Sequence, residues 1–179
     1  MGFDLYASHL PILVAVASKA NGNFLEIGAG YYSTPVLHAI AAVRGIELTT
    51  VETNQLYYYM FADLITNTHG FIVVKQSTDY KIEDYDRWGM AFIDNDDCPR
   101  ADLILKLRDK CRYIVAHDTE NLKPNYGFDR LDGAFQYRID FKFKRYQIEP
   151  EIIIPWTSVF SDTENLDWIR KAFPENGEQ

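Results

Sequence analysis

Phe24-Leu25-Glu26-Ile27-Gly28-Ala29-Gly30-Tyr31-Tyr32-Ser33 is the stretch whose residue types and order point most directly to chemistry. An apolar run carries a carboxylate, closes on a two-glycine turn and leads to a hydroxyl where a helix would start. Glycine lets backbone come close to a ligand, and a helix N-terminus offers unpaired N–H groups and a positive dipole end. Taken alone, such a turn also serves as a plain tight strand–helix connection. A second acid strengthens the binding reading. Glu52 ends another apolar run 24 residues after Gly28, where a carboxylate can accept both hydroxyl protons of a ribose. Glu26, two residues before Gly28, stands where a dinucleotide-binding protein usually has an apolar residue. Its alternative reading is a salt-bridged structural acid.

Further along, Asp94 and His117-Asp118 each follow an apolar run. An imidazole titrates near working pH, so His117 is the candidate general base, with a core histidine as the plain alternative. Asp94 suits a base, a substrate anchor or a metal ligand, and Asp118 either shares the role of His117 or supports it. Asn95-Asp96-Asp97 invites a calcium reading, but no twelve-residue loop with a closing Glu follows, so it reads as a solvated acidic turn before a helix. His9, His38 and His69 show no mutual spacing that suggests a metal site and read as surface or core histidines. Cys98 and Cys111 make neither a disulfide framework nor a metal motif, and fit a reducing compartment.

These residues need elements to hold them. Residues 4–20 read as an opening helix capped by Asp4, and Asn21-Gly22-Asn23 ends it. Strands are expected at Phe24–Ile27, Ile46–Val51, Phe71–Val74, Trp88–Ile93 and Arg112–Ala116. Between them, helices are expected from Ser33 or Thr34 to Gly45, with Pro35 in its first position, at Gln55–Thr66 and at Ala101–Lys110. Residues 76–87 are polar and loop-rich. Alternating strands and helices imply a parallel sheet covered on both faces. The end of the chain breaks the rhythm. Phe135–Phe143 and Trp156–Phe160 look like strands, and Pro150 and Pro155 between them oppose a helical crossover, so an antiparallel edge pair is expected. Residues 163–179 read as a tail to one domain spanning 1–179.

Taken together, Phe24–Gly30, Val51-Glu52, Ala91-Phe92-Ile93-Asp94 and Ile114-Val115-Ala116-His117-Asp118-Thr119 resemble the class I S-adenosylmethionine-dependent methyltransferases, from Phe24 to about Asp162. The last two resemble the small-molecule O-methyltransferase branch and its bacterial relatives. The resemblance implies a Rossmann-like, doubly wound, mostly parallel seven-stranded sheet that ends in an antiparallel pair. It also implies that Glu26 and the turn Gly28, Ala29 and Gly30, with Tyr31 and Ser33 beside it, hold the methionine end of S-adenosylmethionine. Glu52, next to Thr53, would bind the ribose, and Ser77 to Asp79 would lie near the adenine. Asp94 would reach both cofactor and acceptor. Tyr31 departs from the family pattern, where many relatives have a third glycine or a small residue; Tyr31 and Tyr32 either flank the site or are partly exposed loop aromatics. Catechol-type relatives bind magnesium through an acid after the fourth strand and an acid–amide pair after the fifth. Here His117-Asp118-Thr119 replaces that pair, leaving fewer oxygen donors than such a site prefers, so a magnesium site is the less favoured reading and no metal ligand is assigned.

Composition bounds the function. Apolar residues make up 47% and charged residues 25%, an ordinary globular balance. The net charge of −8 repels a phosphate backbone, so a nucleic-acid acceptor is not expected. The apolar run Leu10–Ala17 is too short to span a bilayer and lacks a basic flank, which leaves a cytoplasmic protein without a membrane partner. The loop Asn121–Arg130, with Lys123, Tyr126 and Phe128, and the run Arg138–Arg145 could shape an acceptor pocket. For Lys142, Lys144 and Arg145 the wet face of an alternating strand is the favoured reading. The function expected is methyl transfer to a small-molecule acceptor, with a hydroxyl as its nucleophile. The alternatives are a non-catalytic S-adenosylmethionine-binding protein, another reaction of that cofactor, and a nicotinamide-dependent oxidoreductase.

Overall fold

A computed structural model describes residues 5–82, 87–120, 124–142, 154–174 and 177–178. Five parallel strands make its centre: β1 (Phe24–Ile27), β2 (Leu48–Glu52), β3 (His69–Val73), β4 (Trp88–Ile93) and β5 (Cys111–His117). Two antiparallel strands follow, β6 (Tyr137–Phe141) and β7 (Thr157–Ser161), and the two-residue β8 (Gly177–Glu178) closes the edge. The order is β3-β2-β1-β4-β5-β7-β6-β8, so the seven expected strands are present and β8 adds an eighth. β7 runs antiparallel to both β5 and β6, with Val159 opposite Val115 on one side and Ile139 on the other.

The sheet is apolar on both faces because helices cover both. Along β4 and β5 the side chains alternate. Ala91, Ile93, Ile114 and Ala116 join a core against α4 (Arg100–Leu107). Met90, Phe92, Tyr113 and Val115 join a second core against α1 (Leu10–Lys19), α2 (Ser33–Arg44) and α5 (Asp167–Ala172). This period of two, with both sets buried, is the mark of a central strand in a covered parallel sheet.

Several boundaries differ from the sequence reading for local reasons. α1 begins at Leu10, with Pro11 in its first turn, where a missing N–H goes unused, and a short 3-10 turn at Leu5–Ala7 precedes it. The expected cap, Asp4, lies outside the described residues. α2 starts at Ser33, with Tyr32 at the cap position, so Pro35 is the third helical residue rather than the first. The Thr34 hydroxyl is engaged elsewhere, accepting from the Gly30 N–H at 3.0 Å and donating to Glu26 at 3.0 Å. α3 (Gln55–Met60) is capped by Asn54, whose Oδ1 accepts from the Leu56 N–H at 3.0 Å, and is half as long as expected, ending at Phe61, which turns into the core. The stretch read as a tail contains α5, anchored by buried Leu166 and Ile169. Among the described residues no helix is long and apolar enough to cross a membrane.

Candidate active site

The parallel strands bring their carboxyl ends to one edge, and there the sheet opens into a cleft of two adjoining lobes. Gly28 sits at its hinge. Its backbone has φ +91°, and a Cβ there would lie 2.6 Å from the Asp94 carbonyl, so no other residue lets β1 turn this close to β4. The smaller lobe, about 340 Å³, is lined by Gly28, Ala29, Glu52, Thr53, Ser77 and Asp94, together with Asn54, Tyr57 and Asn95 to Asp97. The larger, about 810 Å³, is lined by Ala29, Gly30, Tyr31, Ser33 and Asp94, and by His9, Arg100, His117 and Asp118. Ala29, Tyr57, Asp94 and Asp96 line both.

Glu52 is held rigidly. Its Oε2 accepts the Ala29 N–H at 2.7 Å, and its Oε1 accepts the N–H groups of Thr53 and Asn54, each at 2.7 Å. The carboxylate thus ties the end of β2 to the glycine turn while lining the smaller lobe. Ser77 lies across that lobe, its N–H and hydroxyl both donating to Asp97, at 2.7 and 2.6 Å. Asn95 is buried rather than solvated, and its amide donates to the Cys98 carbonyl at 3.1 Å, so the turn after β4 is a braced wall of the cleft.

Two expected cofactor residues line neither lobe. Asp79 accepts the Gln76 N–H at 3.1 Å and closes a short turn after β3. Glu26 is fully buried beneath the glycine turn, where its Oε2 accepts from Thr34 at 3.0 Å and from Thr50 at 2.8 Å. Among the described residues it has no salt bridge, and hydroxyls hold it. Burial pushes its carboxyl up from 4.5 to about 7, against the hydroxyls of Ser33, Thr50 and Thr34, which favour the charged form. The folded chain therefore binds this proton more tightly than the unfolded chain. Its contribution to stability is full below about 4.5 and is lost as pH rises through about 7. We expect the unfolding free energy in urea to fall across that window by up to ~3 kcal/mol, at ~1.4 kcal/mol per pH unit. Glu26→Gln should flatten the fall, and an undiminished fall in that variant would assign it to other groups.

In the larger lobe the organising residue is Arg100, which sequence reasoning missed. It is 1% exposed, at the start of α4. Its Nε donates to the Asn95 carbonyl at 2.8 Å and its Nη1 to the His117 carbonyl at 2.6 Å, pinning the ends of β4 and β5 together. Its Nη2 lies 3.0 Å from Asp94 and 3.7 Å from Asp118, and the guanidinium stacks 4.1 Å over the Tyr126 ring. Tyr126, considered above for an acceptor pocket, is thus buried behind the arginine. Asp118 has φ +53°, an uncommon conformation for a residue with a side chain, at the point where β5 ends. Burial works to raise the Asp94 carboxyl, but contact with His117 and the Arg100 charge outweigh it and hold it below the usual carboxylate value. His117 is 2% exposed, with Nδ1 3.4 Å from Asp94 and Nε2 3.0 Å from the Ser8 hydroxyl.

The catechol-type oxygen set does not form here. Arg100 stands between Asp94 and Asp118, and the Thr119 hydroxyl is paired with that of Ser158 at 2.6 Å inside the sheet. Tyr31 is 64% exposed at the mouth, edge-on to Tyr57 and Phe61, and so combines both readings given above. Of the residues considered for an acceptor pocket, Arg138 pairs with Asp132 and Asp140, and Lys142 covers the Trp156 ring at 4.1 Å. Phe128 belongs to the core, while residues 121–123 and 143–145 lie outside the described residues. Cys98 and Cys111 are both free thiols.

No family model matches this chain, and no curated protein does. Solved structures do. The chain is similar to the cofactor-bound Rv0187 from MTB, with a TM-score of 0.65 and 14% identity over 92% of this chain and 83% of that one. It is similar to the O-methyltransferase from Bacillus cereus in complex with SAH, with a TM-score of 0.62 and 16% identity over 90% and 82%. It is also similar to the METTL16 MTase domain, with a TM-score of 0.59 and 12% identity over 89% and 68%. With the strand order and the antiparallel β7, these likenesses show that the fold is that of the class I methyltransferases.

Proposed function

We propose that this chain is an S-adenosylmethionine-dependent methyltransferase acting on a small acceptor through a hydroxyl. The observation that carries the reading is the continuity of the cleft. One lobe has the glycine turn and a fixed ribose-type acid, the other has Asp94 and His117, and Asp94 lines both.

The residues present fit the cofactor. Gly28 keeps β1 and β4 in close approach, Glu52 faces the smaller lobe with both oxygens oriented, and the turn backbone from Gly28 to Gly30 borders the junction of the lobes. Bound there, S-adenosylmethionine supplies an electrophilic methyl group. The chain's own part is to hold an acceptor in line and to take up its proton. A hydroxyl against Asp94 and His117 meets a carboxylate and an imidazole, both of which can accept that proton. Arg100 holds Asp94 in place through a contact of 3.0 Å. The Bacillus cereus O-methyltransferase with SAH supports both the cofactor and the acceptor class by analogy of fold.

The test is incubation with methyl-labelled S-adenosylmethionine and a panel of phenols, catechols and aliphatic alcohols, read by mass spectrometry. Label on an acceptor oxygen supports the proposal. Cofactor cleavage without acceptor labelling contradicts it and favours another use of the same cofactor.

A further inference from the structure

We propose that His9, Asp94 and His117 bind a divalent transition-metal ion of the zinc class at the floor of the larger lobe. The inference deepens the reading above by adding an ion to the acceptor side of the cleft, and its test is independent of methyl transfer. One ligand atom from each of the three residues lies within 4.8 Å of the other two.

His9 is the first argument. It is 2% exposed, it lines the lobe, and neither ring nitrogen has a hydrogen-bond partner among the described residues. An imidazole with both nitrogens unsatisfied in a buried site is uncommon, since buried polar groups are nearly always paired. The ring is held by packing, 5.0 Å from Phe92 and 4.6 Å edge-on from His117.

His117 is the second. The Ser8 hydroxyl lies 3.1 Å from the Pro155 carbonyl, which can only accept, so the hydroxyl proton goes there. Ser8 Oγ, 3.0 Å from His117 Nε2, is then left to accept the Nε2–H. In a neutral ring that leaves the Nδ1 lone pair facing Asp94 Oδ1 across 3.4 Å, and in a doubly protonated ring Nδ1–H donates to it. In the neutral ring two acceptors face each other, and either a proton or a cation belongs between them. Bonds of ~2.1 Å at a tetrahedral angle separate two ligands by ~3.4 Å, so this gap already suits a metal. His9 completes the set with a small inward rotation, because ligands ~4.2 Å apart are the most two such bonds can span.

Two imidazoles and a carboxylate with open positions suit zinc, iron(II) or cobalt(II) rather than magnesium. Ser8 behind His117 and Arg100 behind Asp94 are the supporting hydrogen bonds that ligating groups commonly have. The carboxylate has lone pairs for both arginine and metal. The open side of the ion would face the lobe, where it could bind and acidify an acceptor hydroxyl. It would then occupy the Nδ1 that otherwise takes up the proton.

The experiment is titration of the metal-stripped chain with Co²⁺, read by visible absorption, followed by displacement with Zn²⁺. We expect one equivalent of Co²⁺ with ligand-field bands. His9→Phe, which keeps the packing on Phe92, should weaken binding at least ~10²-fold. Ser8→Ala should weaken it ~10- to 100-fold, the range for a supporting hydrogen bond. His38→Ala, at the separate pair where His38 and His69 Nδ1 atoms lie 3.1 Å apart, should leave it unchanged. Circular dichroism on each variant checks folding, and Ser8→Ala keeps the test decisive should His9→Phe misfold. Failure to bind at millimolar Co²⁺, equal binding by folded His9→Phe, or loss only in His38→Ala would overturn the proposal. S-adenosylhomocysteine titrated into the same samples separates the two readings. Metal binding without cofactor binding supports this site and counts against the methyltransferase reading, and the converse overturns this site alone.

Discussion

Arg100→Ala is expected to be the most destabilising single substitution at the site, lowering the unfolding free energy by about 3–5 kcal/mol. The guanidinium is almost wholly buried and serves Asp94 and the carbonyls of Asn95 and His117 at once. Removing it leaves a carboxylate in a desolvated wall without its charge partner, and leaves two strand-end carbonyls to find new donors. A loss of that size should lower Tm by roughly 10 °C for a chain of this length. Arg100→Lys should recover little, because the ammonium keeps the charge but not the planar fork that reaches three separate groups. Arg130→Ala provides the contrast. Its pair with Asp102 is closer, at 2.6 Å, but half exposed, and its loss should change stability by less than ~1 kcal/mol. Urea unfolding of the three variants checks the ranking, and an Arg100→Ala protein as stable as Arg130→Ala would refute the central role given to the buried arginine.

The second large effect is on rate. Once an acceptor is known, His117→Ala and Asp94→Asn should each lower kcat by ~10²–10⁴-fold, the range for losing a group that takes up a proton. His117 lines the larger lobe alone, whereas Gly28 and Glu52, which would hold the cofactor, line the smaller, and Asp94 lines both. The affinity for S-adenosylhomocysteine should therefore change by less than ~tenfold in His117→Ala. If both variants turn over like the parent, Asp94 and His117 are structural and the acceptor binds elsewhere. A rate unchanged in His117→Ala but lost in Asp94→Asn would move the role to the carboxylate.

What the sequence made legible follows from how local each signal is. The β4 span agrees at both ends, because all six residues from Trp88 to Ile93 are buried and a covered central strand reads as an uninterrupted apolar run. The antiparallel finish was legible because Pro150 and Pro155 oppose a helix and the aromatic runs on either side alternate. The glycine turn stood out because its φ and its approach to Asp94 permit only glycine.

The remainder depends on long-range packing. Arg100 looks like any cation at a helix start, and its burial is decided by two strand ends and Tyr126 converging on it. His9 has no sequence relation to His117; they meet because the turn before α1 lies over the carboxyl end of β5, tied there by Ser8. Glu26 matched its motif yet points under the turn rather than into the cleft, since the alternation of β1 and the Thr34 and Thr50 hydroxyls carry it that way. α3 fell short because Phe61 leaves the helix to reach the core.

Whether the glycine turn and Glu52 hold S-adenosylmethionine is decided by calorimetric titration with S-adenosylhomocysteine, with NADH in parallel. We expect saturable binding of S-adenosylhomocysteine at one site, none of NADH, and a loss of ~1–3 kcal/mol in folded Glu52→Ala, the range for losing a charged hydrogen-bond partner. Binding of NADH in place of S-adenosylhomocysteine, or unchanged affinity in Glu52→Ala, would contradict it.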